Sequence, residues 1–137
     1  MSRYCLDTSA YSYFKLGDSQ AVDILESAEW VGVPSIVLGE LWTGFLRGGQ
    51  FKRNETELRE FLSNPVVEVL SVDFDVARIY GEVVTALRKA GTPVPTNDIW
   101  IAAVTARAGA TVLTYDTHFQ AISRVGSLVL PIPSGGE

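Results

Sequence analysis

The chain carries one cysteine and one histidine, and its basic residues are outnumbered by its acids, 11 Lys and Arg against 16 Asp and Glu. Each scarcity excludes something. A lone Cys5 cannot close an intramolecular disulfide or build a cysteine-based zinc site, and its apolar neighbours Tyr4 and Leu6 predict a buried thiol in a reducing compartment. The single histidine, His118, falls two residues after Asp116 and reads as a surface-turn residue rather than part of a site. Apolar runs are broken by Glu, Asp, Gly or Pro well short of the ~20 residues that a membrane span needs, and the opening Met-Ser-Arg-Tyr-Cys has no signal-peptide character. A cytoplasmic location is expected. The net charge of −5 lacks the basic excess of a general nucleic-acid binder. That objection weakens if the acids gather at one place and are neutralised by bound cations.

What is present is ordinary globular material, 47% hydrophobic and 20% charged over 137 residues, enough for one domain with a real core. The expected domain runs over 1–131, and the Pro-Ser-Gly-Gly composition of 132–137 predicts a flexible tail. Short β-rich runs alternate with helical patterns. Strands are expected at Tyr4 to Leu6, Trp30 to Val33, Val66 to Val72, Thr111 to Thr114 and, at an edge, Leu128 to Leu130. Between them lie a helix through Lys15, another over Ser19 to Ala28, one capped by Ser35 and ended by Gly48-Gly49, and a short one over Asn54 to Ser63. A long amphipathic helix follows Asp73 and ends at Gly91. A nearly all-apolar helix runs from Asp98 to Ala108, capped by the residues before it and buried. This alternation predicts an α/β fold, a three-layer α/β/α domain with a mainly parallel sheet of four or five strands.

In such sheets the functional crevice opens beyond the carboxyl ends of the strands. Asp7 directly follows the first strand, and Asp116 follows Thr111 to Thr114 with one residue between. Asp98 lies in the first turn of its helix and Glu40 one turn into its own, so all four acids can face the same crevice. Each has a plainer reading. Asp7 can cap the next helix, Asp98 can favour its helix dipole, and Asp116 can form an Asx-turn. Glu40, between Leu38 and Leu41, needs a partner or a metal because an unpaired carboxylate there is costly. Taken together, four converging carboxylates repel one another unless a hard cation compensates, and an oxygen-only donor set selects Mg²⁺ or Mn²⁺ over zinc. Trp30, Trp42 and Trp100 sit in apolar segments and are expected in the core. Arg47, Lys52 and Arg53 form a modest basic cluster that either meets phosphates or is simply solvated.

Four motifs in order, Leu6-Asp7-Thr8-Ser9, Gly39-Glu40-Leu41, Asn97-Asp98-Ile99-Trp100 and Thr114-Tyr115-Asp116-Thr117-His118-Phe119, resemble those of the PIN domain nucleases, and within them the VapC-type toxins of toxin–antitoxin pairs. The resemblance covers nearly the whole chain. It implies that Asp7, Glu40, Asp98 and Asp116 are a catalytic, metal-holding acidic quartet, with Thr8, Ser9 and Thr114 as the hydroxyls that orient ligands and water. It further implies Mg²⁺- or Mn²⁺-dependent cleavage of a cellular RNA, a homodimer, and a VapB-type antitoxin whose C-terminal segment blocks the acidic cleft. Two rival enzyme classes fit less well: a haloacid-dehalogenase-like phosphatase wants an acid where Ser9 stands, and a phosphoacceptor receiver wants a late lysine, whereas none follows Lys89. A PIN-like scaffold that binds RNA or a partner without cutting would be expected to have lost one or more acids.

Overall fold

A computed structural model describes residues 2–134. Five strands, β1 (Arg3–Leu6), β2 (Trp30–Pro34), β3 (Val67–Leu70), β4 (Thr111–Thr114) and β5 (Ser127–Val129), form one sheet in the order β3-β2-β1-β4-β5. Every pairing is parallel. The helices are α1 (Thr8–Lys15), α2 (Ser19–Ser27), α3 (Ser35–Arg47), α4 (Phe51–Leu62), α5 (Phe74–Ala90) and α6 (Thr96–Ala108). From β1 the chain moves outward through β2 to β3, then crosses back to β4 on the far side of β1. Right-handed crossovers therefore put α1 to α4 on one face of the sheet and α5 with α6 on the other. The three-layer α/β/α expectation holds, with all five strands parallel. Among the described residues no helix is long and apolar enough to cross a membrane.

The reversal of direction makes a switch point between β1 and β4, the two central strands. Both are apolar on both faces, as a strand covered by helices on each side must be: Cys5, Leu6, Val112 and Leu113 are all fully buried. Burial drives the Cys5 thiol up to about 11, so it stays protonated and inert, as expected. Gly32 of β2 lets neighbours close in, because a Cβ there would lie 2.5 Å from Trp30 Cη2, 2.8 Å from Leu70 Cδ1 and 2.9 Å from Cys5 Sγ.

Several boundaries depart from the sequence expectation, each for a physical reason. β3 stops at Leu70 rather than Val72 because its one partner, β2, ends at Pro34, the residue paired with Leu70. Ser35 is the first residue of α3 rather than its cap; the capping position is Pro34 and no side chain bonds there. α4 begins at Phe51, three residues early, with the Phe51 ring set 5.4 Å from that of Trp42. α6 begins at Thr96 behind an extended Pro95, so Thr96 and Asn97 are helical residues, not caps. Its buried positions Ile99, Ile101 to Val104 and Thr105 match the all-round apolar reading. Of the tryptophans, Trp100 stacks on Tyr80 at 3.7 Å against the core. Trp42 is instead half-exposed beside Phe45 and Phe51, and Trp30 is half-buried under the Arg3 guanidinium at 4.2 Å. Residues 131–134 carry no helix or strand, and 135–137 of the expected tail lie outside the described residues.

Candidate active site

Asp7 caps α1 from the end of β1. Its Oδ1 accepts from the Ala10 backbone N–H at 2.9 Å and from the Ser9 hydroxyl at 2.7 Å, while Oδ2 accepts from Thr114 Oγ1 at 2.5 Å. Capping was the plain reading of this residue, and it is satisfied by one of the three bonds. An ionised carboxylate has about four acceptor positions, so one direction stays free on a side chain that is only 4% exposed. Burial pushes the Asp7 carboxyl above its usual range, the bonds from Thr114, Ala10 and Ser9 pull it down, and the charge of Asp116 adds to the rise.

The two hydroxyls that hold Asp7 also fasten the end of β4. Thr114, fully buried, accepts from the Asp116 backbone N–H at 2.8 Å, and Ser9 Oγ accepts from the Tyr115 N–H at 3.0 Å. Asp7 and the loop bearing Asp116 are thus positioned by shared groups across the β1–β4 junction. Replacing Ser9 by Ala leaves the buried Tyr115 N–H without its acceptor, and a stability loss of ~1–3 kcal/mol is expected, read from the shift of the denaturation midpoint.

Asp116 lies where β4 passes into a 3₁₀ turn (Thr117–Ala121), and its Oδ1 accepts from the His118 backbone N–H at 2.8 Å. The Asx-turn reading is therefore also satisfied. Asp98, in the first turn of α6, reaches the same place: Asp98, Asp116 and His118 each offer one donor atom within 4.8 Å of the other two. Burial raises the Asp98 carboxyl above its ordinary value, a hydrogen bond to His118 lowers it, and the charges of Asp116 and Asp7 raise it further. Aspartates from three separate segments thus stand at one edge of the sheet.

Glu40 is tied to the neighbourhood of the aspartates through two of their chain neighbours, Thr8 and Asn97, while the ligand atoms within 4.8 Å of one another are those of Asp98, Asp116 and His118. Half-buried on α3, Glu40 accepts from the Thr8 hydroxyl through Oε1 and from Asn97 Nδ2 through Oε2 at 3.0 Å. The partner that its apolar surroundings demanded is this pair of donors, both beside the aspartates. Thr8, Ser9 and Thr114, read as hydroxyls that orient ligands, each hold a carboxylate of the crevice. Arg47, Lys52 and Arg53 are exposed at the α3–α4 junction, with Arg47 ~10 Å along the helix axis from Glu40. Among the described residues none of the three bonds to a crevice acid, and Arg53 reaches only Asn54 at 3.4 Å.

Two participants escaped the sequence reading. The sequence offers Asn97 among the residues that can cap the helix, whereas it lies inside α6 and donates to Glu40. His118 was set aside as a surface-turn residue; its ring is half exposed, yet Nδ1 stands 3.0 Å from Asp116 Oδ1 and 3.3 Å from Asp98 Oδ2. The spacing Asp-x-His was the available signal, since an Asx-turn folds residue i+2 back over the aspartate.

A divalent cation fits this donor set. The crevice offers several carboxylate oxygens with one imidazole, and burial and mutual repulsion work against the charged forms of Asp7 and Asp98, which a nearby cation reverses.

Fold and site together define a parallel α/β domain with an acidic cluster at its topological switch point. Residues 4–125 match the PIN domain family. The chain is 31% identical over 123 residues to the ribonuclease VapC5 of Mycobacterium tuberculosis, spanning 90% of each. Among solved structures it is similar to VapBC2 from Rickettsia felis bound to a promoter DNA fragment, with 26% identity, a TM-score of 0.84, and 93% of this chain and 98% of that one covered. It is also similar to VapBC-5 of Mycobacterium tuberculosis, a member of the VapBC family of toxin–antitoxin systems, with 28% identity, a TM-score of 0.70, and 96% and 100% covered. The chain belongs to the PIN domain family, among its VapC ribonucleases.

Proposed function

We propose that this protein is a divalent-metal-dependent endoribonuclease, the toxin of a VapBC-type pair, and that Asp7, Glu40, Asp98 and Asp116 form its catalytic, metal-holding site. The observation that carries the reading is the meeting of three distant segments, with Asp98 and Asp116 offering oxygens within 4.8 Å of each other and Asp7 bound to the same Ser9 and Thr114 hydroxyls that fasten the Asp116 loop. A core alone has no reason to assemble three such groups, since a buried Asp7 beside further carboxylates costs stability. Mg²⁺ or Mn²⁺ bound there supplies an activated water at neutral pH and offsets charge gathering on the phosphodiester oxygens.

The chain's own residues do the positioning. Ser9 and Thr114 hold the Asp7 carboxylate in one rotamer. Thr8 and Asn97 fix both oxygens of Glu40. Arg47, Lys52 and Arg53 contact phosphates of the RNA further along the strand. Residues 1–131 act as one nuclease unit, in the cytoplasm where its RNA is, as a homodimer. A VapB-type antitoxin covers the crevice, and the net charge of −5 suits a basic blocking segment. A scaffold that binds without cutting is disfavoured by the presence of all four acids.

The test is to incubate the purified protein with cellular RNA and Mg²⁺, and to map new 5′ ends by sequencing. Discrete cuts that vanish on chelation are expected. A protein that leaves the RNA intact with either cation loses the assignment.

A further inference from the structure

His118 stands outside the quartet and is not used by the function just proposed. Its Nδ1 lies 3.0 Å from Asp116 Oδ1 and 3.3 Å from Asp98 Oδ2. Adjacent ligand atoms on an octahedral cation with bonds of about 2.1 Å stand about 3.0 Å apart, so Nδ1 is at close to the spacing of a neighbouring corner from each oxygen, and the two oxygens lie within 4.8 Å of each other. The ring is kept there by more than its contact with the carboxylates. The His118 backbone N–H donates to Asp116 Oδ1 at 2.8 Å, and the next residue, Phe119, is fully buried. A side chain that is half exposed, with Asp98 and Asp116 at 18% and 38% exposure beside it, leaves an open approach for a hydrated ion.

We propose that His118, through Nδ1, is a nitrogen ligand of a divalent cation shared with Asp98 and Asp116. This deepens the reading above and rests on it. It also changes what the site prefers. A purely carboxylate cluster suits Mg²⁺, whereas one imidazole in the donor set shifts affinity toward Mn²⁺ and the later first-row cations. The selectivity of the crevice is then set by a residue that lies outside the four acids.

The composition makes the test clean, because His118 is the one histidine in the chain. Any imidazole nitrogen coupled to bound Mn²⁺ has a single source in protein prepared without a histidine tag. Pulsed electron paramagnetic resonance of the Mn²⁺-loaded wild type is expected to show directly coordinated ¹⁴N, and His118→Gln to lose it. Calorimetry is expected to give a Mn²⁺ affinity lowered at least about tenfold in His118→Gln, with Mg²⁺ affinity changed less than about threefold. Mn²⁺ binding to the wild type without a nitrogen signal overturns the ligand assignment and leaves the carboxylate site standing. That spectrum decides the matter without the variant. Mn²⁺ affinity undiminished in Asp98→Asn, or no Mn²⁺ binding by the wild type at all, overturns the cation-site reading and the ligand with it.

Discussion

Asp7→Asn is expected to lower RNA cleavage at least about a hundredfold while raising, not lowering, the melting temperature of the cation-free protein. Asparagine has nearly the volume of aspartate and keeps an acceptor for the Ala10 N–H, which Asp7 binds at 2.9 Å, so the helix cap survives. What disappears is the charge. Because burial holds the Asp7 carboxyl above its ordinary range in the fold, the folded state favours the neutral form more than the unfolded chain does. Its contribution to stability is therefore intact below the unfolded pKa of ~3.9 and is lost as pH rises through the raised folded value. At neutral pH the ionised side chain is a net cost that the neutral amide removes. Added Mg²⁺ or Mn²⁺ reverses the ranking. At a hundred times its dissociation constant a ligand stabilises the wild type by about 2.7 kcal/mol, whereas a variant that has lost the ligand's charge gains much less. Thermal melts of both proteins with and without cation check this. A variant that still cuts RNA removes Asp7 from the site, and a cation-free melting point lowered by more than ~4 °C, roughly 1 kcal/mol or more at this size, makes the residue structural instead.

The residues that the sequence made legible are those whose position follows from topology. Asp7 and Asp116 stand at the ends of strands that the β/α alternation already makes parallel, and the starts of α3 and α6 must face the same edge, so four acids could be assigned to one crevice before any distance was known. For Asp7, Asp98 and Asp116 the plain and functional readings did not compete. Capping, helix-dipole and Asx-turn roles use one acceptor or the backbone, and leave carboxylate oxygens over. The illegible part depended on local detail. Asn97 was masked because capping is the usual use of Asn before a helix; only the start of α6 at Thr96, behind Pro95, frees its amide for Glu40. His118 was masked because an exposed turn is its usual setting, and whether such a turn points at a site is decided by one backbone bond to Asp116. The early start of α4 had the same cause: Gly48-Gly49 marks a break, but how soon the helix resumes depends on the Phe51 ring meeting Trp42.

Phe119→Ala is expected to remove ~3–5 kcal/mol of stability, a large share of the ~5–15 kcal/mol that a domain of this kind has, and to lower the melting temperature by roughly 6–20 °C. Phe119 is the largest fully buried side chain among the described residues. It sits in the 3₁₀ turn Thr117–Ala121 directly after His118 and three residues after Asp116. The turn itself is held by few backbone bonds, among them Ile122 N–H to the Phe119 carbonyl at 3.1 Å, and a turn this short has little intrinsic stability. Its conformation is therefore set by the ring beneath it. Loss of the ring leaves a cavity under the one segment that carries both Asp116 and His118, so cation affinity is expected to fall together with stability. Phe119→Leu refills most of the space and is expected to cost only ~1–1.5 kcal/mol, with cation affinity nearly retained. Denaturant titrations and calorimetry on the two variants distinguish this anchoring from a purely structural role. If Phe119→Ala loses its stability yet binds cation as the wild type does, the loop is held by its polar contacts to Ser9 and Thr114, and the ring serves the core alone. The contrast with Asp7→Asn follows from what each residue does in the fold: removing a carboxylate that burial opposes separates activity from stability, whereas removing the apolar anchor beneath the loop takes both together.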